Sequence, residues 1–304
     1  MAAITLSVIS HGRYLPKDGS GYVHSVFARA VNLSFAGHGL MALLAPILPM
    51  SAWALRLPPL PIPFTSLVRP GDPCLLQSGI LRVGEALICD CTASKLFRGD
   101  LIDAVAIDPA SSTQLLGMAS DENYPGLCAL FSPSPEAFVS LESAILALTA
   151  EIVDDLLKAL EQNNPRDELC SLTRLIGLGA GLTPSGDDFV GGFVAARFAL
   201  STLGSQDPEL RALYAGLLQG LERTSSVAAM FLALAAQGSF SEFLTDLVRA
   251  LGIGHSLTER RERVARLLSF GASSGADTFA GILAGIGGKE IRDLLRAKVM
   301  VGKQ

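Results

Sequence analysis

The stretch "GLGAGLTPSGDDFVGGFVAA" (residues 177–196) decides how the second half of this chain folds. Its opening six residues look like the start of a dinucleotide fingerprint, which needs a strand before it and a glycine at the sixth position. The sixth position is Leu182, and the preceding "DELCSLTRLI" (167–176) has helical periodicity. A Walker A loop ends in Gly-Lys-Ser/Thr, and that ending is absent. What the stretch specifies is a helix start. Thr183 suits the N-cap, Pro184 the first helical position, and Asp187 and Asp188 the first turn. Gly179 and Gly181 permit positive φ and let a ligand or another backbone come close. A helix N-terminus of this kind offers unpaired N–H groups to an anion. The two acids suit the helix dipole but repel a bare anion. They either face away as caps, recruit Mg²⁺ or hold a substrate amide.

A fainter copy lies 89 residues downstream, where "SGADTFAGILAG" (274–285) aligns without gaps to "SGDDFVGGFVAA" (185–196). On each helix the aspartate and the small residues after it share one face: Asp188, Gly192, Ala195 and Ala196 on the first, Asp277, Gly281, Ala284 and Gly285 on the second. Small faces let helices approach closely. The two helices are therefore expected to pack with their N-termini on one side, so that Ser185, Asp188, Ser274 and Asp277 surround a polar pocket. The catalytic candidates are Asp187, Asp188 and Asp277. The ligand-binding candidates are Gly179, Gly181, Thr183, Ser185, Gly186, Ser274 and Gly275. No cofactor is required by these residues, although Asp188 and Asp277 could hold Mg²⁺.

Bulk properties narrow the classes. At 304 residues the chain can bury a large core, and two domains are expected. Half the residues are apolar and few are charged, which excludes a disordered chain. A net charge of −5 gives no electrostatic footprint for nucleic acid. Mean hydropathy is +0.42, yet the most apolar stretch, "GLMALLAPILPMSAWAL" (39–55), is too short to span a bilayer and is broken by Pro46 and Pro49. The N-terminus lacks a signal-peptide pattern, and five scattered cysteines suit reduced thiols, so a cytoplasmic protein without membrane contact is expected. Cys89 and Cys91 would share a strand face, with no nearby Cys or His to complete a zinc set. His11, His24, His38 and His255 show no metal spacing, and no G-x-S-x-G elbow occurs.

Short apolar runs punctuated by turn residues make the first part β-rich: "SVFARAVNLSF" (25–35), "GEALICDCTA" (84–93) and "LIDAVAID" (101–108). Arg29 and Asn32 are polar interruptions of the first run that could line a cleft, although facing solvent on alternate positions is the simpler reading. Near "FSPSPEAF" (131–138) the texture becomes helical. Helices are expected from Glu136 to about Asn163 and then near 166–176, 184–203, 208–222, 225–237, 240–252, 257–270, 275–286 and 289–300. The expected class is α+β: a β-rich domain, 1–132, then an all-helical domain, 133–304, that carries the glycine loop and its repeat. In "HSLTERRERVARLL" (255–268), Ser256 and Glu259 form a capping box and Glu–Arg pairs lie at i,i+4. The arginines, Arg260 and Arg261 included, read as a solvated face. "ERTSSVAAMFLALAAQG" (222–238) opens with a cap cluster that could also touch an anion.

The string "LIGLGAGLTPSGDDFVGGFVAA" resembles the signature of a bacterial family long labelled a domain of unknown function. The resemblance extends to "SVFARAVNLSF", "ERTSSVAAMFLALAAQGSFSEFL" and "SSGADTFAGILAG", and so covers most of the chain. The family includes AllH, a subunit associated with oxamate carbamoyltransferase in anaerobic allantoin (purine) catabolism, alongside a subunit related to acyl-CoA synthetases. The resemblance implies carbamoyl transfer between oxalurate and phosphate, giving oxamate and carbamoyl phosphate. It implies a carbamoyltransferase-type enzyme in which this chain acts as a subunit of a hetero-complex, with a small anionic metabolite or phosphate as ligand. The Ser-Thr-Arg-Thr motif of the aspartate and ornithine carbamoyltransferases is absent, so any such chemistry takes another route. Two other classes fit the same residues: a non-catalytic scaffold or ligand-sensing subunit, and a Mg²⁺-dependent phosphoryl-transfer enzyme using the acidic pair.

Overall fold

The computed structural model describes residues 3–101, 105–108, 110–121, 124–131, 141–287 and 291. The expected boundary stretch 132–138 and nearly all of the expected helix 289–300 lie outside them. The chain divides into two compact units, Met1–Gly99 and Asp100–Gln304, and its class is α+β. That division falls earlier than the change of sequence texture near residue 132. The stretch "LIDAVAID" gives only an isolated bridge at Ile107 among its described residues, and a helix that periodicity did not suggest, α1 (Ala110–Asp121), follows it.

The first unit is one mixed sheet of ten strands: β1 (Ile4–Ser7), β2 (Ser10–Gly12), β3 (Gly19–Val26), β4 (Ala30–Phe35), β5 (Gly39–Leu44), β6 (Ala54–Arg56), β7 (Pro73–Gln77), β8 (Ile80–Val83), β9 (Leu87–Asp90) and β10 (Lys95–Phe97). Their order is β1-β9-β8-β7-β3-β4-β5-β6-β2-β10. Only Val8 and Ile9 separate β1 from β2, yet these strands lie near opposite ends of that order. Val8 N–H donates to Asp90 on one side and Ile9 N–H to Arg56 on the other. The sheet must therefore curl until its ends meet, which leaves little open edge. Alternate residues such as Leu33, Leu43, Leu55, Leu81 and Cys89 fill the inside.

The run 25–35 is a hairpin, not one strand, because it turns at Phe27–Arg29. Arg29 is exposed there, but Asn32 is buried and its Nδ2 donates to Ser25 Oγ at 3.0 Å, so only one of the two faces solvent. Cys89 and Cys91 are free thiols pushed up by burial to about 12 and about 11, which makes them poor nucleophiles.

The second unit follows the expected helices closely: α2 (Leu141–Glu161), α3 (Pro165–Leu175), α4 (Ser185–Leu200), α5 (Pro208–Tyr214), α6 (Ser226–Ala236), α7 (Glu242–Ala250), α8 (Leu257–Leu268) and α9 (Ser274–Ile286). The tight turn at "QNNPRD" shows why. Asn163 takes φ 51°, which asparagine tolerates. Asn164 then caps α3 by accepting from Asp167 N–H, with Pro165 at the first position. The expected helix 208–222 is α5 followed by a 3-10 segment, Ala215–Arg223. No helix among the described residues is long and apolar enough to cross a membrane.

The arginine-rich helix α8 has its expected capping box. Its charges depart from the expectation. Arg260 is 1% exposed, not solvated. It donates to the Ala250 and Gly252 carbonyls, to Gln114 Oε1 at 2.7 Å and to Asp108 Oδ2 at 2.9 Å. Arg263 and Arg266 reach across to Asp246 on α7. Helical spacing predicts partners on the same helix and is blind to those on other segments. Arg260→Met should cost about 2–3 kcal/mol in urea unfolding, since it strands buried carbonyls. A change within 0.5 kcal/mol would show that those bonds contribute little.

The unit is organised around α4 and α9. Most residues of both are buried, so each is a central helix rather than an amphipathic surface one. A methyl group on Gly192 would overlap the Thr278 carbonyl, and one on Gly281 would overlap the Phe189 carbonyl. These two contacts are equivalent under the 89-residue offset. Further along, a methyl on Gly285 would lie 2.7 Å from both the Phe193 carbonyl and Ala196 Cβ. Advance along α4 matches advance along α9, so the helices run parallel with their N-termini together. The repeat also includes the preceding helix. Gly186 packs on the Leu175 carbonyl at the end of α3, and Gly275 on the Leu267 carbonyl near the end of α8. The unit thus holds two helix–loop–helix copies, α3–α4 and α8–α9, related by a pseudo-two-fold axis.

Candidate functional site

The two loops differ in length. Gly186 N–H donates to Leu178 O, whereas Gly275 N–H donates to Phe270 O, a shorter span. The extra residues fall in the loop 179–183, which is exposed at residues 180–182. Gly177, Gly179 and Gly181 have φ of 79°, 122° and 95°, a left-handed region that only glycine enters cheaply. A Cβ on Gly179 would stand 2.7 Å from Ser185 N, while Gly181 faces open space.

The free donors at this helix start are not where the sequence suggested. The N–H groups of Gly186 and Gly275 are spent on loop carbonyls, and those of Asp187 and Asp188 on Pro184 O. Thr183 does not cap α4, which begins after Pro184 without a side-chain cap. Its hydroxyl instead pairs with Ser274 Oγ at 2.8 Å. The loop N–H groups from Gly179 to Thr183 are left over from these bonds. Successive N–H groups in a loop of alternating φ sign form a concavity suited to an anion.

The three aspartates have distinct surroundings. Asp187 is buried and fully engaged: Gly177 N–H donates to Oδ1 at 3.0 Å and Thr224 Oγ1 to Oδ2 at 2.6 Å. It ties the loop to the cap cluster before α6, where Ser225 also donates to the Leu182 carbonyl. Burial pushes its carboxyl up, partly offset by those two donors.

Asp188 and Asp277 lie close enough for the charge of one to act on the other. Burial first, then the negative charges of Asp277 and Asp187, push Asp188 well above the usual carboxylate range, against the Ser274 and Thr183 hydroxyls. Burial also raises Asp277, against the Leu127 N–H and the Ser185 and Ser273 hydroxyls. The hydroxyls are crossed: Ser274 of the second copy serves Asp188, and Ser185 of the first serves Asp277.

The surroundings of the pair are not symmetric. Leu127 N–H donates to Asp277 Oδ1 at 2.6 Å, from a turn in which Gly126 has φ 65° and no room for a side chain. Asp277 is fully buried, while Asp188 keeps some surface beside the glycine loop. Neither Thr224 nor Leu127 was foreseen as a partner. The Pro-Gly pair before Leu127 was a turn signal, but a turn signal does not say what the turn meets.

Among the described residues no group of three His, Cys, Asp or Glu could hold a metal ion. The Oδ2 atoms of Asp188 and Asp277 are beyond the reach of water. Mg²⁺ keeps several waters and needs an open coordination sphere, so this donor set fits it poorly.

Two family models match the chain: "AllH family N-terminal domain" over residues 4–96 and "Oxamate carbamoyltransferase subunit AllH" over residues 175–286. The chain belongs to the AllH family. The first match covers the curled sheet, and the second begins at the end of α3 and ends with α9. The family's C-terminal region therefore contains the glycine loop, both aspartates of the pair and the helices that bring them together. No curated protein and no solved structure matches the chain.

Proposed function

We propose that this chain is a subunit of an oxamate carbamoyltransferase-type enzyme and binds phosphate or a small anionic metabolite at the 179–185 loop, beside Asp188. The observation that carries this reading is the convergence of two parallel helix starts on one polar site, with a longer glycine loop on one side only. Phosphorolysis of a carbamoyl group needs a held phosphate, a positioned planar substrate and donors for a developing oxyanion. Loop N–H groups supply the first and third. A carboxyl group next to them can orient the substrate NH₂. Asp187 acts as a positioning residue that fixes the loop through Gly177 and Thr224.

The balanced reaction has a phosphate oxygen attacking the carbamoyl carbon of oxalurate. The C–N bond breaks, and the departing nitrogen takes the proton that phosphate gives up, leaving oxamate and carbamoyl phosphate. The test is carbamoyl phosphate formation by this chain with its candidate partner subunits. Formation should require this chain, phosphate and oxalurate together. Unchanged formation after omitting this chain would contradict the proposal.

A further inference from the structure

Asp188 and Asp277 present a charge problem that the helix dipoles alone do not solve. Each keeps one oxygen, Oδ2, buried and without a hydrogen-bond partner. The two atoms belong to equivalent residues of the two repeats. No cation compensates them among the described residues. The groups that act on the pair are Asp187 on α4, which adds repulsion, the Leu127 N–H, and the hydroxyls of Thr183, Ser185, Ser273 and Ser274. Arg223 acts on Asp187, and the Cys128 thiol beside Asp277 is itself pushed up to about 12. Two ionised carboxylates in such a place are strongly disfavoured.

We propose that Asp188 and Asp277 share a single proton between their Oδ2 atoms, across the pseudo-two-fold axis. One carboxyl then donates to the other, and both orphan oxygens gain a partner at once. The pair carries one negative charge, not two, which lessens the repulsion of an anion bound at the neighbouring loop. This rests on the site assigned above and adds the condition under which it accepts an anion. A coupled pair loses its protons in two separated steps that belong to the pair. Anion affinity should therefore fall as pH rises through the upper step.

The test uses the full chain labelled with ¹³C at the aspartate carboxyls and titrated from about pH 4 to pH 9. The pair should stay singly protonated through neutral pH. Asp188→Asn should convert Asp277 to a single, simpler titration. Should that variant not fold, Asp277→Asn read at Asp188 serves equally, and the unmodified chain alone shows the two steps. Sulfate, whose charge is constant over this range, is the anion probe. Its affinity should weaken toward about tenfold per pH unit above the upper step, and Asp188→Asn, which leaves only the single Asp277 titration, should abolish the weakening at that upper step. Both carboxyls titrating together in the ordinary range, or Asp277 unaffected by Asp188→Asn, would overturn the shared proton. Failure of sulfate to bind at any pH would instead remove the anion site, while the carboxyl titration still decides the proton.

Discussion

The Gly192→Ala/Gly281→Ala double variant should fail to fold its helical unit, and each single change should cost about 3 kcal/mol. Both added methyl groups would overlap backbone carbonyls of the facing helix, not the flexible end of a side chain. Backbone in the middle of two buried helices cannot step aside without moving the whole helix. The core around Phe189, Phe193, Phe279 and Leu283 would separate with it. Gly191→Ala is the control, because its added methyl meets nothing within 4 Å. It should stabilise by about 0.5–1 kcal/mol through helix propensity alone. Circular dichroism followed through urea unfolding separates the two cases. Equal effects at positions 191 and 192 would contradict the close parallel packing.

Asp188→Asn should lower turnover by about 100-fold or more while the fold survives. The stability effect has a definite sign with pH. Burial raises Asp187, Asp188 and Asp277 above their unfolded values. The folded chain thus holds these protons more tightly than the unfolded chain does. Their contribution to stability is fully present below the unfolded aspartate value and is lost as pH rises through the raised values. Asp108, Asp207 and Glu259 are shifted the other way by their hydrogen bonds, but they lie at the surface, where solvent screens the effect. Asparagine cannot ionise, so Asp188→Asn should gain stability relative to the unmodified chain between pH 5 and pH 8. Denaturant unfolding at those two pH values checks it. A variant that unfolds at both would make Asp188 a structural residue and remove the basis for its role in turnover.

Much of the fold was legible because its signals are local. Helix periods, the Asn163–Pro165 break and the Ser256–Glu259 capping box all lie within one or two turns of chain. The parallel pairing of α4 and α9 was legible for a different reason: the same small-residue face occurs twice, and a face without side chains has to meet something. What could not be read was where long-range partners would come from. Arg260 finds Asp108 and Gln114, Thr224 finds Asp187, and Leu127 finds Asp277, each across a large sequence separation. The donor assignment at the glycine loop also shifted. The composition announced free N–H groups, but loop carbonyls claim those of Gly186 and Gly275, and the spare donors lie three to seven residues before Gly186.

The long glycine loop, beside the Asp188–Asp277 pair, is the anion site we propose. Backbone amide NMR shifts followed during titration with inorganic phosphate test it most directly. Saturable shifts concentrated at Gly179, Gly181, Thr183 and Ser185, and weakened when Gly181 is replaced by Val, are the expected result. Shifts that do not saturate, or that cluster elsewhere on the chain, would contradict it.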